Sequence, residues 1–473
     1  MQIATDAASA PPAPVLTMPG SFGTVSSSTA GTTTTSRSAE LHDAALRVMP
    51  GGTSRAVHQT SPHPIYAREG SGSTVTDVDG NRYLDFYNNA SSLIHGHAHP
   101  AIVSAITDQA RRGTAFSLPV ENQIELAELL CSRIPGAEHA RFVNSGSEAV
   151  LLAVKVARAL TGRPKVVKFE GLYHGCADGA ELSLESTPDN WGSDQAPNTV
   201  PHTGGTPAGL LDSVIVLPFN DIEAAELVIT AHASELAGVV IDILPSRIGV
   251  TPAHREWVQA VRRLTREFGI LLISDEVVTF RLDYGGAQAL YGFDADITTL
   301  GKTIGGGLPV GALVGPRDVM RAFDGSRGRA LVPNAGTFNA NPLTVAAGLA
   351  AMNALTESEI QRINQMGESL RARADALFAN VGAPAHTSGI GSLFGIHMTD
   401  RRFSDYRQYW HACIEDPAVK LRQRRLYDSL RERGILLSAA GVGSLSTAMG
   451  SVELDAFHEA LADSVREGLG VKG

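Results

Sequence analysis

Short blocks rich in apolar residues recur along the middle of the chain, at 165–169, 214–217, 239–244 and 270–273. Blocks of this length read as strands buried on both faces. Between the last two, Trp257, Val261, Leu264 and Phe268 recur at helical spacing, and Gly269 stands where a helix stop is expected. Strands alternating with helices in this way predict a mostly parallel sheet. Earlier in the chain the pattern differs. From about Ser38 a helix-like stretch runs to Val48, Pro50-Gly51-Gly52 makes a turn, and strand-like segments follow around Tyr66 and over 74–86, with Asp79-Gly80-Asn81 as a hairpin signal. After about Val345 come further helices and short strands, including a helix over 421–433 and a strand over 435–438. The expected division is a tail 1–37, an N-terminal segment 38–95, a large domain 96–345 and a smaller α+β domain 346–473.

With 473 residues and 43% hydrophobic content, the chain can bury the core of two packed subdomains. A formal charge of −10 without a long basic run argues against a nucleic-acid surface. No apolar stretch reaches the about 18 residues that span a bilayer. Cys131, Cys176 and Cys413 are too few and too far apart for a disulfide framework or a CxxC metal site, so no metal is expected and a reducing cytoplasm fits. Residues 1–36 lack Lys and Arg and are rich in Ala, Ser, Thr and Pro, which predicts a disordered tail rather than a targeting signal.

Candidate chemistry concentrates in two places. Asp275 follows the apolar run 270–273, at the carboxyl end of a strand, where open α/β sheets carry functional groups. Lys302 comes next along the chain, ahead of Gly305, Gly306 and Gly307, which let backbone approach a bulky group. An amine for a Schiff base and an acid for a ring nitrogen are the two contacts that pyridoxal 5'-phosphate (PLP) needs most. Gly301-Lys302-Thr303 also spells the end of a P-loop, but that motif requires glycine where this chain has Asp296. The second place is 141–149, a strand turning tightly into a helix. There Ser145, Gly146 and Ser147 offer backbone N–H groups, hydroxyls and the positive helix end to a phosphate.

Together the segments TVTDVDGNRYLDF (74–86), GHAHP (96–100), NSGSEA (144–149), GRPKVVKFEGLYHG (162–175), SDEVVTFR (274–281), TLGKTIGGGLPVGA (299–312) and AGTFNANP (335–342) resemble the class III aminotransferases of PLP fold type I. The resemblance covers about 40–470 and points to the branch of glutamate-1-semialdehyde aminomutase and the β-amino-acid (β-phenylalanine) aminotransferases. It implies an α/β fold with a large PLP-binding domain and a smaller α+β domain. Lys302 would form the Schiff base and move the substrate proton, and Asp275 would keep the ring nitrogen protonated. Tyr173 and Val277 would pack the two ring faces, with His174 and Glu148 beside the cofactor and Ser145, Gly146 and Ser147 on its phosphate. Thr337 would reach the phosphate from a neighbouring subunit, implying a homodimer. Arg55 would take the substrate carboxylate, with Asn89 lining the pocket.

The implied reaction moves an amino group from an amino acid, plausibly a β-amino acid, to a 2-oxo acid. The motifs do not separate this from an aminomutase that isomerises one retained substrate, whereas Lys302, Asp275 and Tyr173 together argue against a non-catalytic binding protein. Three departures from the family pattern bear on specificity. Asp242-Ile243, followed by Pro245-Ser246-Arg247, replaces a Glu-Pro pair; SDEVVTFR lacks the glycine of the longer motif; and Ser438-Ala439-Ala440-Gly441 has no arginine for a second carboxylate.

Overall fold

The computed structural model describes residues 36–469, so the expected tail lies outside the described residues except for 36 and 37. The described chain clusters into two units, 36–68 with 76–81 and 69–75 with 82–469. In the first, the helix Arg37–Leu46 begins one residue before the expected start, because the Ser36 hydroxyl accepts from Ala39 N at 3.2 Å and caps it. Pro50–Gly52 forms the expected turn, with Gly51 at φ 65°. In the hairpin signal, Asp77 Oδ1 accepts from the backbone N–H groups of Asp79 and Asn81 at 2.9 and 2.8 Å, so one carboxylate closes the turn.

The second unit is built on a seven-stranded sheet of β1 (His139–Val143), β2 (Lys165–Phe169), β3 (Val214–Leu217), β4 (Leu236–Ile241), β5 (Leu271–Asp275), β6 (Ile297–Gly301) and β7 (Gly311–Gly315). Its order is β1-β7-β6-β5-β4-β2-β3. The pairs from β3 through β6 are parallel, and only β7 runs antiparallel to its neighbours β1 and β6. All six residues of β4 are buried, as expected for a central strand covered on both faces.

Helix α1 (Gly146–Thr161) covers one face. A Cβ on Gly238 would lie 3.3 Å from the Ala157 methyl, so this helix packs tightly on β4. Helix α2 (Arg255–Phe268) covers the other, where Trp257, Val261 and Leu264 join Val239, Ile241 and Leu272 in one apolar cluster. Gly269 ends α2 in the left-handed region at φ 60°.

The strand expected over 239–244 lies three residues earlier. The apolar run continues beyond β4, but Asp242 turns the chain by accepting from Leu244 N at 2.9 Å, and Ile243 and Leu244 are buried in the turn instead. Similarly, the helix expected over 421–433 runs over Pro417–Glu432 and the following strand is only Ile435–Leu436, paired in parallel with Leu84 and Asp85. A three-stranded antiparallel sheet of His386–Ser388, Leu393–His397 and Val442–Ser444 completes this region, over a core in which Phe86 and Phe457 stand 4.6 Å apart. Among the described residues no helix is long and apolar enough to cross a membrane.

Candidate active site

The carboxyl ends of β4, β5 and β6 place Asp242, Asp275 and Lys302 at one edge of the sheet, which is where the order of a doubly wound sheet puts ligand-binding groups. Asp275 is the last residue of β5 and is buried. Its Oδ2 meets His174 Nδ1 at 2.8 Å, and its Oδ1 accepts from Thr299 Oγ1 at 3.1 Å and Val277 N at 3.2 Å. Three contacts fix the carboxylate in one orientation, with a ring nitrogen of His174 left over: Nε2 is buried and has no partner among the described residues.

Lys302 follows β6 in the 3-10 turn Lys302–Gly305 and is partly buried. Its φ of 48° is a left-handed conformation that a residue with a Cβ adopts at a cost of about 1–2 kcal/mol. Such strain at a single lysine between a strand end and a glycine turn accords with a site that requires the amine in one place.

The start of α1 forms the other wall. Ser145 caps the helix, its hydroxyl accepting from Glu148 N at 3.1 Å, while the Glu148 carboxylate accepts from Asn144 N at 2.6 Å. Glu148 is therefore engaged as a helix cap, in the manner of a capping box. Glycines bring three backbones together here. A Cβ on Gly146 would come within 2.8 Å of the Val277 side chain, one on Gly301 within 3.3 Å of it, and one on Gly175 within 2.5 Å of Ser147 Oγ. Ser147 Oγ also accepts from Cys176 N at 3.3 Å.

Tyr173 is half exposed beside this turn, with the Arg247 guanidinium 5.7 Å from its ring centroid. Burial of its inner part raises the phenol above its ordinary pKa, Cys176 adds to the rise, and Arg247 opposes it. Arg247 also faces Glu185 at 4.0 Å, a loose pair between two half-exposed side chains.

His174, Val277 and Thr299 thus all contact Asp275, and Gly146, between Ser145 and Ser147, lies against Val277. Thr337 is exposed on a loop whose Asn339 accepts from Asn144 Nδ2 at 2.9 Å, next to the Ser145 turn. Asn89 is exposed and donates to Ser92 Oγ at 3.1 Å. Arg55 lies in the first unit, exposed, at the residue before the turn Ala56–His58.

Two features went unassigned in the sequence reading although their residues sit in quoted motifs. Thr299 fixes Asp275. Arg281, fully buried, donates to Ser392 Oγ at 3.1 Å and Ser91 O at 3.1 Å, and also to Leu445 O. It faces no carboxylate in these contacts, and burial lowers its pKa to about 9. The segment it holds is strained, since Asn88, Asn89, Ala90 and Ser91 all have positive φ, from 48° to 66°. An arginine ending an otherwise apolar segment was the available signal.

These residues fit PLP on their own chemistry. A buried carboxylate is held rigid at a strand end, an amine follows the next strand, and the positive end of helix α1 closes the third side, with glycines where a Cβ would fill the space.

The family model for class-III aminotransferases matches residues 55–461. A curated relative, the glutamate-1-semialdehyde 2,1-aminomutase of Persephonella marina, is 38% identical over 89% of this chain and 96% of its own length. The solved structure of an omega-transaminase from Sphaerobacter thermophilus is 45% identical, covers 92% of this chain and 98% of its own, and superposes with a TM-score of 0.89. A β-phenylalanine aminotransferase from Variovorax paradoxus is 33% identical with a TM-score of 0.81, over 92% of this chain and 94% of that one.

Proposed function

This chain belongs to the class-III aminotransferase family, whose members are PLP-dependent enzymes acting on small amino and oxo acids, and we propose that it transfers the amino group of a β-amino acid to a 2-oxo acid. The observation that carries the proposal is the rigid Asp275 carboxylate at the end of β5, one strand from Lys302 at the end of β6. Likeness to an omega-transaminase and to a β-phenylalanine aminotransferase supports the choice of donor.

In this reading the N–H groups at the start of α1, with Ser145 and Ser147, bind the phosphate, and Val277 and Tyr173 bound the ring. Asp275, oriented by His174 and Thr299, holds a proton on the ring nitrogen. When bound, PLP supplies an electron sink for the negative charge left at the substrate carbon. The Lys302 amine would take the proton from that carbon and give it up two atoms along, across the shared nitrogen, acting as general base and then general acid. Arg55 is assigned the substrate carboxylate on its motif and its planar fork of donors, and Asn89 the pocket wall.

Two wider assignments accompany the reading. A homodimer is supported by exposed apolar side chains at Phe116, Leu118, Leu331 and Phe338, the last next to Thr337, which would serve the partner's phosphate. A cytoplasmic location is supported by the free thiols of Cys131, Cys176 and Cys413. Sedimentation of the holoenzyme tests the first.

A second reading, an aminomutase of the glutamate-1-semialdehyde type, is favoured by the name of the Persephonella relative. One experiment separates the two. Adding β-phenylalanine to the yellow PLP-loaded protein without an oxo acid should bleach the visible band and release a β-keto acid. A band unchanged by β-phenylalanine, with glutamate 1-semialdehyde isomerised in the absence of any oxo acid, would replace the first reading with the second.

A further inference from the structure

The departure at Asp242 acquires a meaning once the strands are in place. β4 and β5 are parallel neighbours with Val240 beside Ile273 and Ile241 beside Ser274. The next step in this register sets Asp242 beside Asp275. Alternation along a strand puts Asp242 on the same face as Gly238 and Val240, and Asp275 on the same face as Ile273. That is the face covered by α1, since Gly238 approaches Ala157 and Ile273. Two carboxylates therefore stand next to each other on the side of the sheet that holds the Ser145 turn, and both are buried, 7% and 6% exposed.

Neighbouring buried carboxylates do not both ionise readily, because each charge penalises the other and neither is solvated. Which one keeps its proton follows from their contacts. Asp275 has three, from His174, Thr299 and Val277 N. Asp242 accepts from Leu244 N at 2.9 Å. The charged groups around Asp242 are Asp275 and Glu276 from β5 and the residue beyond it, which oppose its ionisation, and Lys302 after β6, which favours it. From α1, the Glu148 carboxylate is engaged at Asn144 N, and on the turn after β4 Arg247 is placed against Tyr173 and Glu185. Burial first, and Asp275 second, push the Asp242 carboxyl up to about 8.

We propose that Asp242 and Asp275 act as a paired carboxylate wall carrying a single negative charge, with Asp242 a proton-holding positioning residue that tunes the charge on the cofactor side of Asp275. This rests on the reading that Asp275 faces the cofactor's ring nitrogen. Asp242 contributes no contact to the reacting atoms. Its proton leaves Asp275 as the one charged member of the pair at neutral pH, and its loss in alkali adds a second negative charge beside Asp275 and Lys302.

Two measurements on the PLP-loaded protein test the pairing. In the infrared, a C=O stretch of a protonated carboxylic acid should be present near neutral pH, disappear in alkali, and be missing from Asp242→Asn. That variant keeps an acceptor for Leu244 N, so the turn is preserved. In the visible spectrum, the pH at which the Lys302–cofactor linkage loses its proton should be higher in the wild type than in Asp242→Asn by about half a unit or more, because an ionised Asp242 favours the bound proton. Wild type and Asp242→Asn that titrate identically, with no infrared band assignable to Asp242, would overturn the proposal and leave Asp242 as a turn acceptor alone. A protein that takes up no PLP would instead sink the cofactor-facing role of Asp275, while the infrared band still reports the Asp242 proton.

Discussion

His174 meets Asp275 through Nδ1 at 2.8 Å, with both side chains buried, although the two residues are 101 positions apart in the chain. An anion placed to hold a proton on a ring nitrogen is useful only if it cannot turn away, and this contact prevents rotation of the carboxylate. Asp275→Asn should lower kcat by roughly 10²–10³-fold, the scale for removing one preorganised charge partner. His174→Ala should cost about ten- to a hundredfold, as expected for losing a hydrogen bond to a charged group. His174→Asn, whose amide nitrogen stands close to the position of Nδ1, should recover part of the loss. Steady-state kinetics with each PLP-loaded variant check the order; an Asn no better than Ala would mean that His174 fills space and does not orient Asp275.

In the proposed reading Lys302 carries the proton-transfer role, and its substitution should separate chemistry from folding. Lys302→Ala should abolish turnover by roughly 10²–10⁴-fold or more, the contribution of a positioned general base. Lys302→Arg should be equally inactive, because a guanidinium keeps its proton. Neither change should lower the thermal midpoint much, since the φ of 48° is already strained for any residue with a Cβ. Single-turnover assays and thermal melts of the two variants decide this; appreciable turnover in either would move the base to another residue.

Part of the sheet was legible from the sequence because its strands are largely buried and their patterns local. β2 and β3 coincide with the apolar blocks at 165–169 and 214–217, and α2 with the spacing of Trp257, Val261, Leu264 and Phe268. Lys302, Asp275 and the Ser145 turn were legible for the same reason, since each lies within one motif at the end of one strand. What was not legible depends on strand order. Nothing in the residues themselves says that β4 lies beside β5, so the neighbourhood of Asp242 and Asp275 appears only in the register. The end of β4 was misplaced because apolar residues continue into a buried turn, and periodicity does not distinguish a buried strand from a buried turn. The left-handed run over 88–91 has no glycine to announce it, and Arg281 and Ser444 hold it from distant positions, with Asp85 capping it from three residues away.

Close backbone approach at the Ser145 turn gives a prediction about Gly311 on β7. A Cβ on Gly311 would lie 2.0 Å from Ser145 O and 2.5 Å from Ser145 C, so β7 presses on the cap of α1. Gly311→Ala should destabilise the protein by about 1–3 kcal/mol, the scale of overpacking, and weaken PLP binding by displacing the Ser145 turn. Gly209→Ala is the control. Gly209 lies in the helix Ala208–Leu211 with nothing within 4 Å of a new Cβ, and should be neutral or slightly stabilising. Thermal melts with and without PLP check both; a Gly311→Ala protein as stable as the control would show that the contact relaxes without cost.

Two buried histidines each contribute stability that acid removes. His95 places Nε2 2.8 Å from Ala351 O and Nδ1 2.9 Å from Thr447 Oγ1, and burial, opposed in part by the Ala351 carbonyl, lowers its pKa to about 4. His397 is buried beside Ser388, and burial, followed by the charge of His386, lowers it to about 3. Unfolded, each ring takes up a proton as the pH falls through about 6.5, whereas the folded protein resists until far lower. Between those values the unfolded chain binds more protons, so stability present above about pH 6.5 is lost as the pH falls, by at most about 1.4 kcal/mol per histidine per pH unit. Asp242 and Glu276, whose carboxyls burial pushes up to about 8 and about 7, act in the opposite direction over the interval from about 6.5 to 5, so the histidine contribution is read from the difference between variant and wild type. His95→Gln keeps an amide donor for the Ala351 carbonyl and carries no titrating group. Its unfolding free energy should therefore fall less steeply than that of the wild type across this interval. Denaturant melts at a series of pH values measure the slopes; parallel slopes would mean that His95 accepts its proton in the folded state as readily as in the unfolded chain.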